Sequence, residues 1–147
     1  MRSYQPILLV EDDDADAIIT RRVLSDLKVT NKIVHKTDGD EALAYLQDSA
    51  NPRPCAILLD INMPRMNGLD LLAAVKAEES LRKMPVIMLT TSDADKDISR
   101  SYELGAAGYI TKPCDYKEFV EAMKTMNLYW SLCRMPNTDC VAASLRD

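Results

Sequence analysis

The feature that most constrains the fold is a series of five short, largely apolar runs, each followed by a stretch long enough for one helix. The runs occupy residues 7–10, 33–37, 55–59, 85–89 and 108–111. A strand whose apolar residues do not alternate with polar ones is buried on both faces, which is typical of parallel sheets covered by helices. Because crossovers between parallel strands are right-handed, the chain is predicted to be a doubly wound α/β domain of five βα units.

The stretches between the runs carry helical signals. In the first of them, four apolar residues recur at four-residue spacing, Ala15, Ile19, Val23 and Leu27, and with Ile18 and Leu24 alongside they predict one helical stripe. Asp13 or Asp14 is expected to cap the start of this helix. A fourth helix is predicted over 93–104, and Gly105 is expected to end it.

Length and charge limit the class of protein. A chain of 147 residues suits one domain, predicted at residues 5–132, with residues 133–147 as a tail or dimerisation arm. The net charge of −5 disfavours nucleic acid as a ligand, and no apolar run is long enough to cross a membrane. None of the four cysteines forms a C-x-x-C pair, so we expect reduced thiols in a cytoplasmic protein. They are Cys55, Cys114, Cys133 and Cys140.

Polar side chains end four of the predicted strands: Glu11 and Asp12, then Asp60, Thr90 and Lys112. The carboxyl ends of parallel strands share one edge of a sheet, so these side chains are expected to meet. Two carboxylates about 4 Å apart repel each other by roughly 4 kcal/mol at an effective dielectric near 20. Oxygen ligands favour a hard divalent ion, and an open site suits Mg²⁺. The amine and the hydroxyl could then bind phosphoryl oxygens, which predicts phosphoryl transfer to a carboxylate.

Some of these residues also have interpretations other than a phosphoryl-transfer site. An acidic cluster at a helix N-terminus usually complements the helix dipole, and Asp13, Asp14 and Asp16 are assigned to that role. His35, the single histidine, is expected to be structural or exposed. An enzyme that works as a phosphatase through an aspartyl phosphate would need a second aspartate at position 62, where the chain has Asn62.

Four motifs in order carry a family resemblance: VEDD at 10–13, LLDINMP at 58–64, LTTS at 89–92 and YITKP at 109–113. Residues 5–127 resemble the receiver domain of two-component response regulators. The resemblance implies a flavodoxin-like sheet of order 2-1-3-4-5. Residues 90–105, with Tyr129 and Trp130, are further similar to the stand-alone regulators that serve bacterial phytochromes.

The resemblance implies a role for each acidic position. Asp60 would accept a phosphoryl group from a histidine of a sensor kinase. Asp12 would bind Mg²⁺ directly, Glu11 largely through water, and the Asn62 carbonyl would complete the protein ligands. Such a protein is not a dedicated enzyme, although its acyl phosphate hydrolyses. A chemotaxis-type receiver and a phosphorelay shuttle remain alternatives.

The resemblance also implies a switch. Thr90 and Lys112 would each bind a phosphoryl oxygen, Tyr109 would turn inward, and Pro113 would follow a cis peptide bond. The face formed by the fourth helix, fifth strand and fifth helix would then change its packing.

The apolar segment around Tyr129 and Trp130 either folds back on its own domain or forms a homodimer interface. The phytochrome-regulator resemblance favours the dimer.

Overall fold

The computed structural model describes residues 5–112 and 115–132, without the side chains of Trp130 and Ser131. Five strands alternate with five helices. The strands are β1 (Ile7–Val10), β2 (Ile33–Lys36), β3 (Ala56–Leu59), β4 (Val86–Thr90) and β5 (Gly108–Thr111). The helices are α1 (Asp14–Asp26), α2 (Gly39–Gln47), α3 (Gly68–Ala77), α4 (Asp95–Glu103) and α5 (Tyr116–Leu132).

All strand pairs are parallel, and the sheet order is β2-β1-β3-β4-β5, which confirms the predicted doubly wound topology. Side chains of one strand point alternately to opposite faces, so each central strand contributes to two cores. Leu8 and Val10 of β1 pack with α2 and α3 on one face. Ile7 and Leu9 pack with α1 and α5 on the other.

The predicted stripe on α1 is wrong in part. The buried residues of this helix are Ala17, Thr20, Val23 and Leu24. The prediction is correct for Val23 and Leu24, but Ala15 is exposed, and Ile18 and Ile19 are 64% and 39% exposed. A four-residue spacing drifts around a helix of 3.6 residues per turn, so a stripe read at that spacing leaves the buried face within two turns.

Helix ends follow the local chemistry of the chain. Asp13, Asp38 and Asn67 precede α1, α2 and α3, and each side chain accepts a hydrogen bond from a backbone N–H of its helix. The fourth helix starts at Asp95 rather than Asp93, since residues 91–94 form the connection from β4. Gly105 follows α4 with a φ of 102°, a conformation that strains any residue with a side chain.

Some sequence predictions lie outside the described residues. These are the cis peptide bond at Pro113, the tail or arm at 133–147, and the state of Cys114, Cys133 and Cys140. Cys55 is described and is reduced, as expected, and its sulfur accepts a hydrogen bond from the Asn31 side-chain amide at 3.8 Å. No helix within residues 5–112 and 115–132 is both long enough and apolar enough to span a bilayer.

Candidate functional site

The carboxyl edge of the sheet brings three acidic side chains together. Glu11 and Asp12 follow β1, and Asp60 follows the neighbouring β3. One carboxylate oxygen from each of the three lies within 4.8 Å of the other two. Glu11 and Asp60 are buried, whereas Asp12 is exposed to solvent. The three carboxylates therefore form a small, half-open cup of oxygen ligands.

The cup fits a hard divalent cation. Its ligands are oxygens only, and its open side leaves room for water or a phosphoryl oxygen. Without a cation, three carboxylates at this spacing repel one another. A bound dication would relieve that repulsion. The type of ligand and the charge of the cup therefore both favour a divalent cation.

Glu11 and Lys112 form a largely buried ion pair at the rim of this cup. The Lys112 amine donates a hydrogen bond to the Glu11 carboxylate; the Glu11 side chain is 3% exposed and the Lys112 side chain 9% exposed. Burial raises the pKa of Glu11 from 4.5 to about 7, against the opposing effect of Lys112 and helped by repulsion from Asp60. Burial alone would lower the pKa of the Lys112 amine, but the hydrogen bond to Glu11 and the nearby carboxylates raise it above its ordinary value.

Hydrogen bonds with the backbone of neighbouring residues fix the position of Asp60. Its own N–H donates to the Val10 carbonyl at 3.1 Å, and one carboxylate oxygen accepts from the Ile61 N–H at 2.8 Å. A Cβ atom on Gly68 would lie 2.1 Å from the Asp60 carbonyl oxygen, so only glycine permits this approach of α3 to the end of β3. The Asn62 side chain, two residues on, is exposed.

Thr90 and Tyr109 meet at the connection that follows β4. Thr90 is fully buried, and its hydroxyl oxygen accepts a hydrogen bond from the Ser92 N–H at 3.3 Å. The Tyr109 hydroxyl donates to the Ser92 carbonyl at 2.8 Å, and burial raises the pKa of this phenol. The same loop residue thus contacts both side chains of the predicted switch.

Two residues contact the site in ways that the sequence interpretation missed. His35, on β2, lies 2.7 Å from the Glu11 carbonyl through Nε2, which must donate because a carbonyl only accepts. The Glu11 N–H donates in turn to the Lys36 carbonyl at 3.0 Å, so β2 holds both sides of the Glu11 backbone. Asp16, assigned only to helix capping, also accepts a hydrogen bond from Lys112 at 3.1 Å.

A second ion pair holds the loop between Asp60 and α3. The guanidinium of Arg65 pairs with the buried carboxylate of Asp38, and the Gly39 N–H donates to the Met66 carbonyl at 3.3 Å. The hydrogen bond from the Glu41 N–H, followed by Arg65, lowers the pKa of Asp38. No signal in the chain linked positions 38 and 65, which the fold brings together.

The model of the response regulator receiver domain family matches residues 7–124. The chain belongs to this family. This receiver is 36% identical over 128 residues to the response regulator Rcp1 of Synechocystis, an alignment that covers 84% of this chain and 87% of that protein. It is also 36% identical over 107 residues to the chemotaxis protein CheY of Pseudomonas aeruginosa, covering 73% and 83% of the two chains.

Solved structures give the same relationship for this receiver. The Mn²⁺-bound form of Rcp1 superimposes with a TM-score of 0.83 at 34% identity, covering 90% of this chain and 99% of that one. The phosphorylated cyanobacterial phytochrome response regulator RcpA superimposes with a TM-score of 0.84 at 35% identity, covering 91% and 99%. The predicted family, the flavodoxin-like fold and the similarity to phytochrome response regulators are therefore confirmed.

Proposed function

We propose that this receiver takes a phosphoryl group on Asp60 from the phosphohistidine of a sensor kinase and works as a stand-alone response regulator. The observation that carries the proposal is the convergence of Asp60 with Glu11 and Asp12, with Lys112 bound at the rim of the same cup. An anionic nucleophile needs positive charge beside it to approach a phosphoryl group, and this arrangement can supply it.

The transfer uses few groups of the protein. One Asp60 oxygen forms a bond to phosphorus as the bond between phosphorus and the kinase imidazole breaks, and the imidazole keeps the electron pair. The second Asp60 oxygen stays hydrogen-bonded to the Ile61 N–H, which holds the carboxylate plane. Water later cleaves the acyl phosphate and restores the carboxylate, so the signal is self-limiting.

Glu11, Asp12, Asp60 and the Asn62 carbonyl would hold Mg²⁺, the hard cation that an open oxygen site favours. When bound, the ion supplies charge neutralisation for the phosphoryl oxygens. The Mn²⁺-bound form of Rcp1 supports a divalent ion in a related receiver.

The switch in this proposal passes through Thr90, Ser92 and Tyr109. Phosphorylation adds about −1.5 to −2 charge units at Asp60. The Thr90 hydroxyl and the Lys112 amine would move toward the new oxygens. Since Ser92 contacts both Thr90 and Tyr109, a shift of Thr90 would disturb the hydrogen bond that holds Tyr109. The face made by α4, β5 and α5 would then present a different surface to its partner.

Incubation with acetyl phosphate and Mg²⁺ tests the phosphoacceptor. We expect a mass increase of one phosphoryl group in the wild-type protein and none in Asp60→Asn. Asp70→Asn, which removes the same charge from an exposed position of α3, should leave the modification intact. A wild-type protein that gains no mass, or an Asp60→Asn variant that does, would end the proposal. Omitting Mg²⁺ should abolish most of the gain.

The donor that we propose is a phytochrome-type sensor kinase. Its support is the likeness to RcpA, a cyanobacterial phytochrome response regulator. The same mass measurement, repeated with a panel of autophosphorylated sensor kinases, should show fastest transfer from a phytochrome-type donor. Fastest transfer from a chemotaxis kinase would favour the chemotaxis-type alternative, which the similarity to CheY keeps open. Turnover of a phosphomonoester would instead indicate a phosphatase.

We also propose a homodimer formed through α4, β5, α5 and the C-terminal extension. Leu128, Tyr129 and Leu132 expose 62%, 66% and 78% of their surface near the end of α5. We expect the double substitution Leu128→Ser and Leu132→Ser to shift a dimer to monomer in sedimentation velocity. Ile18→Ser, at an exposed position of α1, is the matched control and should leave the mass unchanged. An unchanged mass in the double variant would remove the dimer interface from α5.

A further inference from the structure

The Lys112 amine has two carboxylate partners, and neither is Asp60. It donates to Glu11 and, at 3.1 Å, to Asp16. Within the part of the chain that the structure describes, no hydrogen bond joins Lys112 to Asp60. A phosphoryl group on Asp60 would therefore compete with these two carboxylates for the N–H donors of the amine.

The two partners differ in what a bound cation would do to them. Glu11 belongs to the cup of carboxylates, so a dication there would compete with Lys112 for its oxygens. Asp16 lies in the first turn of α1 and outside the cup, with a side chain 36% exposed. Its contact with Lys112 would therefore persist when the cup is filled.

The Asp16 carboxylate complements the dipole of α1 but is not the side chain that caps the helix. The cap of α1 is Asp13, whose side chain accepts from the Asp16 N–H at 3.1 Å. Thr20 donates to the Asp16 carbonyl at 2.9 Å. Both contacts use backbone atoms of Asp16, so its side chain is free to serve Lys112.

The contact between Asp16 and Lys112 also lies beside a cavity. A cavity of about 310 Å³ lies between α1 and α5, and Asp16, Lys112 and Phe119 are among the residues that line it. Asp16 and Lys112 thus both border this cavity, while Asp60 lies with Glu11 and Asp12 in the cup.

We propose that Asp16 is a positioning residue that holds the Lys112 amine in its resting place and opposes its transfer to the phosphoryl group. The inference rests on the proposed phosphoacceptor function of Asp60. It adds a residue of this chain that restrains the Lys112 amine before phosphorylation. Losing the Asp16 charge would release the amine and favour the phosphorylated state.

The test compares Asp16→Asn with Asp14→Asn. Both remove one charge from the first turn of α1 and keep the backbone contacts, but Asp14 is exposed, and among the residues that the structure describes no hydrogen bond joins it to Lys112. At saturating Mg²⁺, calorimetric titration with beryllofluoride, a phosphoryl analogue, should show binding about three- to tenfold tighter for Asp16→Asn, the range expected for a partly buried ion pair. We expect Asp14→Asn to change the affinity by less than about twofold, as screened surface charges do.

A second readout needs neither metal nor phosphoryl group. In the metal-free protein, the ammonium protons of Lys112 should exchange with water faster in Asp16→Asn than in the wild type, as measured by lysine-selective NMR, and Asp14→Asn should match the wild type. A purely structural role for Asp16 predicts weaker or equal beryllofluoride binding. Either that result or unchanged proton exchange would overturn the inference. Failure of the wild type to bind beryllofluoride would instead count against the proposed function.

Discussion

Gly68→Ala is expected to lower the free energy of unfolding by about 3 kcal/mol, a large value for the addition of one methyl group. A Cβ atom at this position would lie 2.1 Å from the Asp60 carbonyl oxygen and 2.8 Å from the Ile61 Cα. Both atoms belong to backbone that is itself fixed, because the Asp60 N–H bonds to Val10 of the central strand. Either α3 or the end of β3 must therefore move.

Gly108→Ala is the matched control for this prediction. A Cβ atom there would find its nearest neighbours 4.0 Å away on Ile87, an ordinary contact distance. We expect its stability to stay within about 0.5 kcal/mol of the wild type or to rise, since alanine restricts the unfolded chain. Denaturant unfolding of both variants measures the difference. Equal stability of the two alanine variants would show that the approach of α3 to Asp60 is loose.

Lys112→Met is expected to cost about 2–3 kcal/mol in the metal-free protein at pH 8, besides removing the amine from the proposed switch. The substitution leaves the Glu11 carboxylate, whose side chain is 3% exposed, without its cation. Breaking a buried pair from one side is costlier than losing a surface pair. The exposed Lys117→Met is the control and should have little effect.

The cost of Lys112→Met should depend on pH. Glu11 binds its proton more tightly in the folded protein, with a pKa of about 7 against an ordinary 4.5, so its contribution to stability falls as the pH rises through that interval. Without Lys112 the folded pKa rises further, and the loss grows. We therefore expect the stability deficit of Lys112→Met to be smaller at pH 5 than at pH 8 in chemical unfolding. A deficit that is independent of pH would mean that Glu11 is not the residue left unpaired.

Much of the architecture was predictable because it depends on local patterns. The short apolar runs marked the five strands, and the parallel sheet followed from their lack of alternation. Gly105 marked the end of α4 because its positive φ suits glycine. The buried face of α1 was only half right, since Ile19 faces outward while Ala17 and Thr20 are buried. Apolar character alone does not reveal which side of a short helix meets the sheet.

Some contacts of the candidate site could likewise be predicted from the sequence, and others could not. That Glu11, Asp12 and Asp60 would meet could be inferred from the chain, because residues that follow neighbouring parallel strands share one edge of the sheet. The contact from Asp16 to Lys112 could not, since it joins residues 96 positions apart and depends on how α1 packs beside the end of β5. The same holds for His35, whose ring reaches Glu11 only through the pairing of β2 with β1.

The amino-acid sequence by itself thus determined the order of the elements, the parallel sheet and the set of chemical groups at its carboxyl edge. These depend on the burial of short apolar segments and on the residues that end them. Only the tertiary structure decided which of those groups pair. Lys112 is bound to Glu11 and Asp16 rather than to Asp60, and the reason is physical: a buried ammonium goes to the carboxylates that packing brings within reach of its side chain.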